Sequence, residues 1–286
     1  MTDLLAALSV PGLTASLLAL LMCAALLAGW VDAVVGGGGL VQVPALMLVP
    51  GLPATHALGT NKVSSVMGTT AAAGTYRRQV GFPAHVLSTS LLALGTAGCG
   101  ALAATRMPTE VLRPVIAAAL LAVLAVTVLK PDSFTGGGRR PGTGAPQDTL
   151  EPGPGGAAAP AAVPRRSVLM RCLALGAAIG VYDGMLGPGT GSFLLIGFIL
   201  LVGLDTLTAV AMSKAVNLAT NAGALAVFAL LGAVQWRLGL LMGVANMVGG
   251  WLGARTASRF GPRFVRVVLV VVVLALLVRL LSQSLG

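Results

Sequence analysis

Charged residues are scarce in this chain. Asp, Glu, Lys and Arg make up 9% of its 286 residues, against roughly 25% in a soluble domain, and the mean hydropathy is +0.94. That shortage excludes an ordinary water-soluble fold. Only three cysteines occur. Cys23, Cys99 and Cys172 lie in or beside apolar runs without a CxxC spacing, so neither a disulfide framework nor a thiolate metal site is readable. His56 and His85 fall at segment ends, where capping or interfacial roles suit them, and no metal or other cofactor is implied. Acidic residues number eight. They form no DxxxD or DDxxD cluster and no membrane-embedded His/Glu pair, which counts against an intramembrane phosphatase or prenyltransferase. Residues 1–10 contain Asp3 but no Lys or Arg. The basic start of a secretory signal is therefore missing, and the first apolar run is expected to be a retained helix.

What the chain does have is long apolar runs, at 13–35, 84–104, 111–129, 167–186, 206–231, 238–254 and 264–282, and about 20 such residues span a bilayer. The segment "LVQVPALMLV" (40–49) is too short to cross as a plain helix, and "ALGTNKVSSVMGTTAAAGTY" (57–76) is long enough but rich in small and polar residues. These segments predict an all-α polytopic membrane protein whose first partner is the lipid bilayer. The formal charge of +10 does not point to nucleic acid, because the basic residues sit between the apolar runs, as positive-inside sorting requires. Residues 131–166, rich in Pro, Gly and Ala, cannot bury enough apolar surface to fold and read as a flexible cytoplasmic linker. They separate a first membrane repeat, 1–130, from a second, 167–286.

The two repeats align on sliding the chain by about 152 residues, the usual ground plan of secondary transporters. "GWVDAVVGGGG" (29–39) matches "GVYDGMLGPGTG" (180–191), pairing Asp32 with Asp183, and Gly51 meets Gly203, Lys62 meets Lys214 and Phe82 meets Trp236. Each half reads as about four spanning helices plus a short broken or re-entrant segment after a Gly-rich turn. If that segment carries the chain back across the membrane, the halves are inverted and the basic residues outside the membrane split 12 to 4 in favour of the cytoplasm. If it leaves where it entered, the halves are parallel and the split is 10 to 6. The count favours inverted repeats.

Lys62 and Lys214 stand out because fifteen of the eighteen basic residues are Arg, so the compact ammonium is a selected choice at these two places. Both are expected roughly 8 to 12 Å deep, where an ammonium costs at least about 2.5 kcal/mol and must face a cavity or a partner. Helical spacing puts Ser65 and Thr69 on the face of Lys62, and Asn217 and Asn221 on that of Lys214. The glycine runs "GGGG" (36–39) and "GPGTG" (187–191) precede the short segments, so free amides at Gly37, Gly38, Gly39, Gly189, Thr190 and Gly191, with the Ser192 hydroxyl, can hold a small anion at a helix start. A nucleotide P-loop would need Gly-Lys-Ser/Thr there, but Leu40 or Ser192 follows. Gln42 offers a further amide in the first half. Asp32 and Asp183, the acids within the apolar segments, can hold a lysine when ionised and release it when protonated, which makes them candidates for proton coupling. Trp30, Tyr76, Tyr182 and Trp236, near segment ends, read as interfacial anchors.

With "GGGGLVQVPAL" and "ALGTNKVSS" in the first half, and "YDGMLGPGTGSF", "SKAVNLATN", "GAVQW" and "GVANMVGGWLGAR" in the second, the chain resembles the sulfite exporter TauE/SafE family, also described as toluene-sulfonate-uptake permeases, in its YfcA-like branch. The resemblance implies a multi-pass permease of the bacterial inner membrane, not an enzyme. Its implied solutes are small sulfur-containing anions such as sulfite or organosulfonates, moved for the most part outward. Coupling to an ion gradient is the expectation added by the lysine and aspartate pattern. A passive anion channel is the alternative, an intramembrane enzyme a more distant one, and a homodimer is compatible with the pattern. The long linker departs from the compact form of the family.

Overall fold

The computed structural model describes residues 10, 12–106 and 165–284. The apolar run at 111–129 and nearly all of the linker lie outside them. Every regular element among the described residues is helical: α1 (Ala15–Val35), α2 (Gly38–Leu46), α3 (Ala54–Gln79), α4 (Val86–Ala104), α5 (Arg165–Met185), α6 (Thr190–Gly197), α7 (Thr206–Leu230) and α8 (Trp236–Ser284). A π-helical turn, Phe198–Val202, extends α6. By length and composition α1, α4 and residues Arg166–Met185 of α5 can each cross a membrane. The 26-residue α3 and 25-residue α7 have the length but dilute their apolar character with small and polar residues.

Local chemistry sets the helix starts. Thr14 Oγ1 accepts from the Leu17 amide at 3.2 Å to open α1, and Asp205 Oδ1 accepts from the Thr208 amide at 3.1 Å to open α7, each satisfying an amide that has no partner within its helix. Pro53, extended, precedes α3. Gly36 and Gly187 end α1 and α5 at φ +78° and +84°, a left-handed geometry that glycine adopts without strain. Such a bend lets a short helix fold back. Leu46 and Val49 pack in one cluster with Leu13, Leu18 and Leu21, so α2 returns along α1 towards the end where α1 began. In the second half Arg171, near the start of α5, donates to the Leu201 carbonyl at 3.1 Å just beyond α6, and the Leu175 side chain covers Gly197. α6 doubles back along α5 in the same way.

Between apolar helices in lipid there is little hydrophobic drive, and close packing by small residues replaces it. A methyl on Gly184 would lie 1.9 Å from the Ala97 carbonyl oxygen, and one on Gly180 would lie 2.7 Å from that of Ala93. Gly176 faces Thr89, so α5 runs alongside α4 in the same direction. By the same test α8 runs with α1, Gly249 meeting Leu26 and Gly253 meeting Trp30, and also with α3, Gly239 meeting Val63 and Gly250 meeting Gly68. α7 runs with α4 through Gly223 on Leu94. The sequence leaves a gap between apolar runs at 254 and 264, and within it α8 breaks at Gly261, at φ +75°, before Pro262, so that α8 is two helices joined at a kink. The arginines there lie over aromatic rings, Arg255 at 4.0 Å from the centre of Trp251 and Arg259 at 5.8 Å from Phe260.

Candidate functional site

Lys62 stands eight residues into α3, counted from Ala54, and Lys214 eight residues into α7, counted from Thr206, which is about 12 Å along each helix. Both side chains are buried. Each reaches out of its own half. Lys62 Nζ pairs with Asp183 Oδ2 at 2.9 Å and donates to the Asp183 backbone carbonyl at 3.0 Å and to Asn221 Oδ1 at 3.1 Å. Lys214 Nζ pairs with Asp32 Oδ2 at 3.2 Å and donates to the Asp32 backbone carbonyl. Each ammonium thus binds a carboxylate and a carbonyl in the last turn of the opposite half's first helix, where the helix dipole favours a cation.

The carboxylates have further donors. Thr190 Oγ1 donates to Asp183 Oδ1 at 2.7 Å, the Gly37 amide donates to Asp32 Oδ1 at 3.3 Å, and Asn217 Nδ2 donates to Asp32 Oδ2 at 3.4 Å. Asn221 Nδ2 in turn donates to the Asn217 carbonyl at 2.8 Å. Between the pairs the two glycine turns touch. A methyl on Gly191 would lie 2.5 Å from the Gly36 Cα, and the Ser192 hydroxyl donates to the Val35 carbonyl at 3.0 Å and to that of Gly36. No side chain larger than hydrogen fits at that meeting point.

These groups enclose a polar cavity of about 20 Å³ lined by Asp32, Asp183, Asn61, Ser65, Asn217, Asn221 and glycines of both turns. It has room for about one water, less than a sulfur oxyanion needs, so a solute must part the walls to be held there. Of the residues singled out in the sequence, Asp32, Asp183, Ser65, Asn217, Asn221, Gly37, Gly38, Gly39, Gly189, Thr190 and Gly191 all line this space. Lys62 and Lys214 are not among the lining residues, but their ammonium groups lie next to the lining glycines Gly187 and Gly191. Thr69 spends its hydroxyl on the Ser65 carbonyl at 2.6 Å and Ser192 on the glycine-turn carbonyls, so neither hydroxyl opens onto the cavity. Gln42 also turns elsewhere, accepting from Asn246 Nδ2 at 2.7 Å.

Sequence reasoning missed Asn61 and Gly187 among the lining residues. Asn61 stands immediately before Lys62, and helical spacing from the lysine does not select a neighbour. Tyr76 and Tyr182 are corrections. Tyr76 is fully buried and donates to the Ala33 carbonyl in the last turn of α1 at 3.0 Å, and Tyr182 donates to the Pro188 carbonyl in the second glycine turn at 2.6 Å; both hydroxyls bond within the protein instead of anchoring at an interface. Trp236 is half exposed, as an anchor would be. Among the described residues no group of three or more His, Cys, Asp or Glu could hold a metal.

An all-helical protein with membrane-length helices, two broken segments meeting tip to tip, and its buried charges gathered around a polar cavity has the build of a membrane transporter. The chain belongs to the sulfite exporter TauE/SafE family, whose profile matches residues 21–280. It is 36% identical over 272 residues to a probable membrane transporter protein, ORF9, of Sinorhizobium sp, with 93% of each chain covered. To the probable membrane transporter YfcA of Escherichia coli K12 it is 29% identical over 272 residues, covering 94% of this chain and 91% of the relative. A probable membrane transporter of Haemophilus influenzae is 28% identical over 257 residues, covering 89% and 91%. No solved structure matches the chain.

Proposed function

We propose that this protein carries small sulfur-containing anions, such as sulfite or simple organosulfonates, outward across the bacterial inner membrane, and that proton movement at the aspartates couples the transport. The observation that carries the reading is the exchange of partners: Lys62 with Asp183 and Lys214 with Asp32, on two sides of a polar cavity walled by glycine turns. When a carboxylate is protonated, its lysine is released to neutralise an anion. Backbone amides at the starts of α2 and α6 and the amides of Asn217 and Asn221 complete a donor set for a small oxyanion.

The halves are inverted repeats in this reading. Three features support it: α2 and α6 fold back along α1 and α5, α5 runs with α4, and α8 runs with α1. Two helices that occupy equivalent places in their halves, α3 and α7, then cross in opposite senses. The face that holds Arg77, Arg78, the start of α5 with Arg166 and Arg171, and Arg255, Arg259 and Arg263 is cytoplasmic by positive-inside sorting, while Arg106 and Arg237 belong to the other face.

The test is counterflow of labelled sulfite and of several sulfonates in proteoliposomes, comparing the native protein with Lys214→Ala. Native vesicles should exchange at least one of these anions, and the substitution should cut exchange by an order of magnitude or more, since it removes the cation proposed to neutralise the anion. If every anion that exchanges is indifferent to the substitution, the site is wrong; if none exchanges, the solute class is wrong.

A further inference from the structure

The two pairs are symmetric in sequence but not in their surroundings. Lys62, Lys214, Asp32 and Asp183 sum to zero charge, and both aspartates are among the residues lining the cavity. An anion arriving alone would leave that neutral set with an uncompensated charge. It can settle only if one carboxylate loses its charge.

The contacts separate the two acids. Asp183 is 1% exposed, with Thr190 Oγ1 donating to its Oδ1 at 2.7 Å and Lys62 Nζ 2.9 Å from its Oδ2 as an ion pair; that ammonium is fixed again by bonds to the Asp183 carbonyl at 3.0 Å and to Asn221 at 3.1 Å. Asp32 is 17% exposed and held by long ones, 3.2 Å to Lys214, 3.3 Å to the Gly37 amide and 3.4 Å to Asn217. Other elements bring further groups to the same space, among them Lys62 of α3, which lies beside the lining Gly187. From α3 comes Tyr76, which bonds the next residue's carbonyl. From α5 comes Asp183 across the cavity, and from α6 Ser192, bonded to the Val35 carbonyl. From α8 come Gly253, packed on Trp30 and Ala33, and Arg255, which lies over Trp251.

We propose that Asp32 is the carboxylate that takes up the proton as the anion binds, so that solute and proton are loaded together, one for one, while the Asp183–Lys62 pair stays closed as a fixed brace. The proton comes from bulk water and adds to Asp32 Oδ2, breaking that oxygen's ion pair with Lys214. Lys214 keeps its bond to the Asp32 backbone carbonyl and turns its free hydrogen to the anion. With one proton and one monoanion added, the buried set remains neutral, and no charge is left alone in a medium of low dielectric. This deepens the transport reading and rests on its claim that a small anion binds in the cavity.

Methanesulfonate, which does not itself titrate near neutral pH, is the probe. Purified protein in weak buffer with a pH indicator should take up close to one proton per anion bound, and the apparent Kd should rise about tenfold per pH unit above neutrality. In Asp32→Asn, binding of any strength should show neither proton uptake nor that slope, and Asp32→Glu should restore both. In Asp183→Asn, or in Thr190→Val if the former does not fold, the slope should persist whatever the affinity. Proton uptake surviving in Asp32→Asn, or lost in Asp183→Asn while Asp32→Asn keeps it, overturns the assignment. Binding without proton uptake in the native protein overturns it too and leaves the transport reading standing. If neither methanesulfonate nor sulfite binds, the transport reading falls and this one with it.

Discussion

At the scale of single residues, the Lys62–Asp183 pair dominates because both its members are buried, 2% and 1% exposed. Removing one partner of such a pair strands the other charge, a loss of about 3 to 5 kcal/mol. Lys62→Met should therefore lower unfolding stability in mixed micelles by that order. Lys62→Met combined with Asp183→Leu should recover most of it, because no charge is then left unpaired. If the double substitution is as unstable as the sum of the two single ones, the residues are not coupled as described. Tyr76→Phe is a milder case. It removes one neutral hydrogen bond to the Ala33 carbonyl, and about 1 kcal/mol should be lost in the same assay. The lysines and their stripes were legible in the sequence, because a lone ammonium among apolar residues is itself a signal. Which acid each lysine meets was not. Helical periodicity gives the face a residue points from, and only tertiary packing brings that face against the first helix of the other half.

At the scale of elements, the glycines decide how closely helices approach. Gly184 lies against the Ala97 carbonyl oxygen with no room for a methyl, while a methyl on Gly74 in α3 meets nothing within 4 Å. Gly184→Leu should force α4 and α5 apart and reduce the yield of monodisperse protein in detergent by several fold, whereas Gly74→Ala should be neutral or stabilising by up to about 1 kcal/mol. Equal behaviour of the two would show that the α4–α5 contact is not tight. Element boundaries were readable to within a few residues wherever hydropathy changes sharply, as at 206–231 against the observed Thr206–Leu230. They were less readable where polar residues stay helical. α3 continues through Arg77 and Arg78 to Gln79, and α8 runs on past 254, because long basic side chains can lie along a helix and reach polar surroundings. The repeat register also shifted at one turn. The left-handed glycines Gly81 and Gly232 that follow α3 and α7 set Phe82 opposite Ala233, where residue matching alone had placed Trp236.

At the scale of the whole molecule, the proposed inversion fixes which turns share a face. Gly81 and Gly232 sit in the turns that follow α3 and α7, with open space around each, and the inversion would put these turns on opposite faces. In a variant lacking Cys23, Cys99 and Cys172, Gly232→Cys should react with an impermeant maleimide in intact cells, and Gly81→Cys only after permeabilisation. Labelling of both from outside would make the halves parallel. Dividing the chain within 131–166 and producing the two pieces together should restore much of the folded protein, while either piece alone should be degraded.

The crossed lysines have a historical consequence. A half-length ancestor carrying one aspartate and one lysine could not have satisfied its own charges, because each lysine reaches only the acid of the other half. Under the proposed inversion, it would have needed a second, oppositely inserted copy of itself in the same membrane. Joining two such copies in one gene would make that meeting certain and leave the two sites free to diverge.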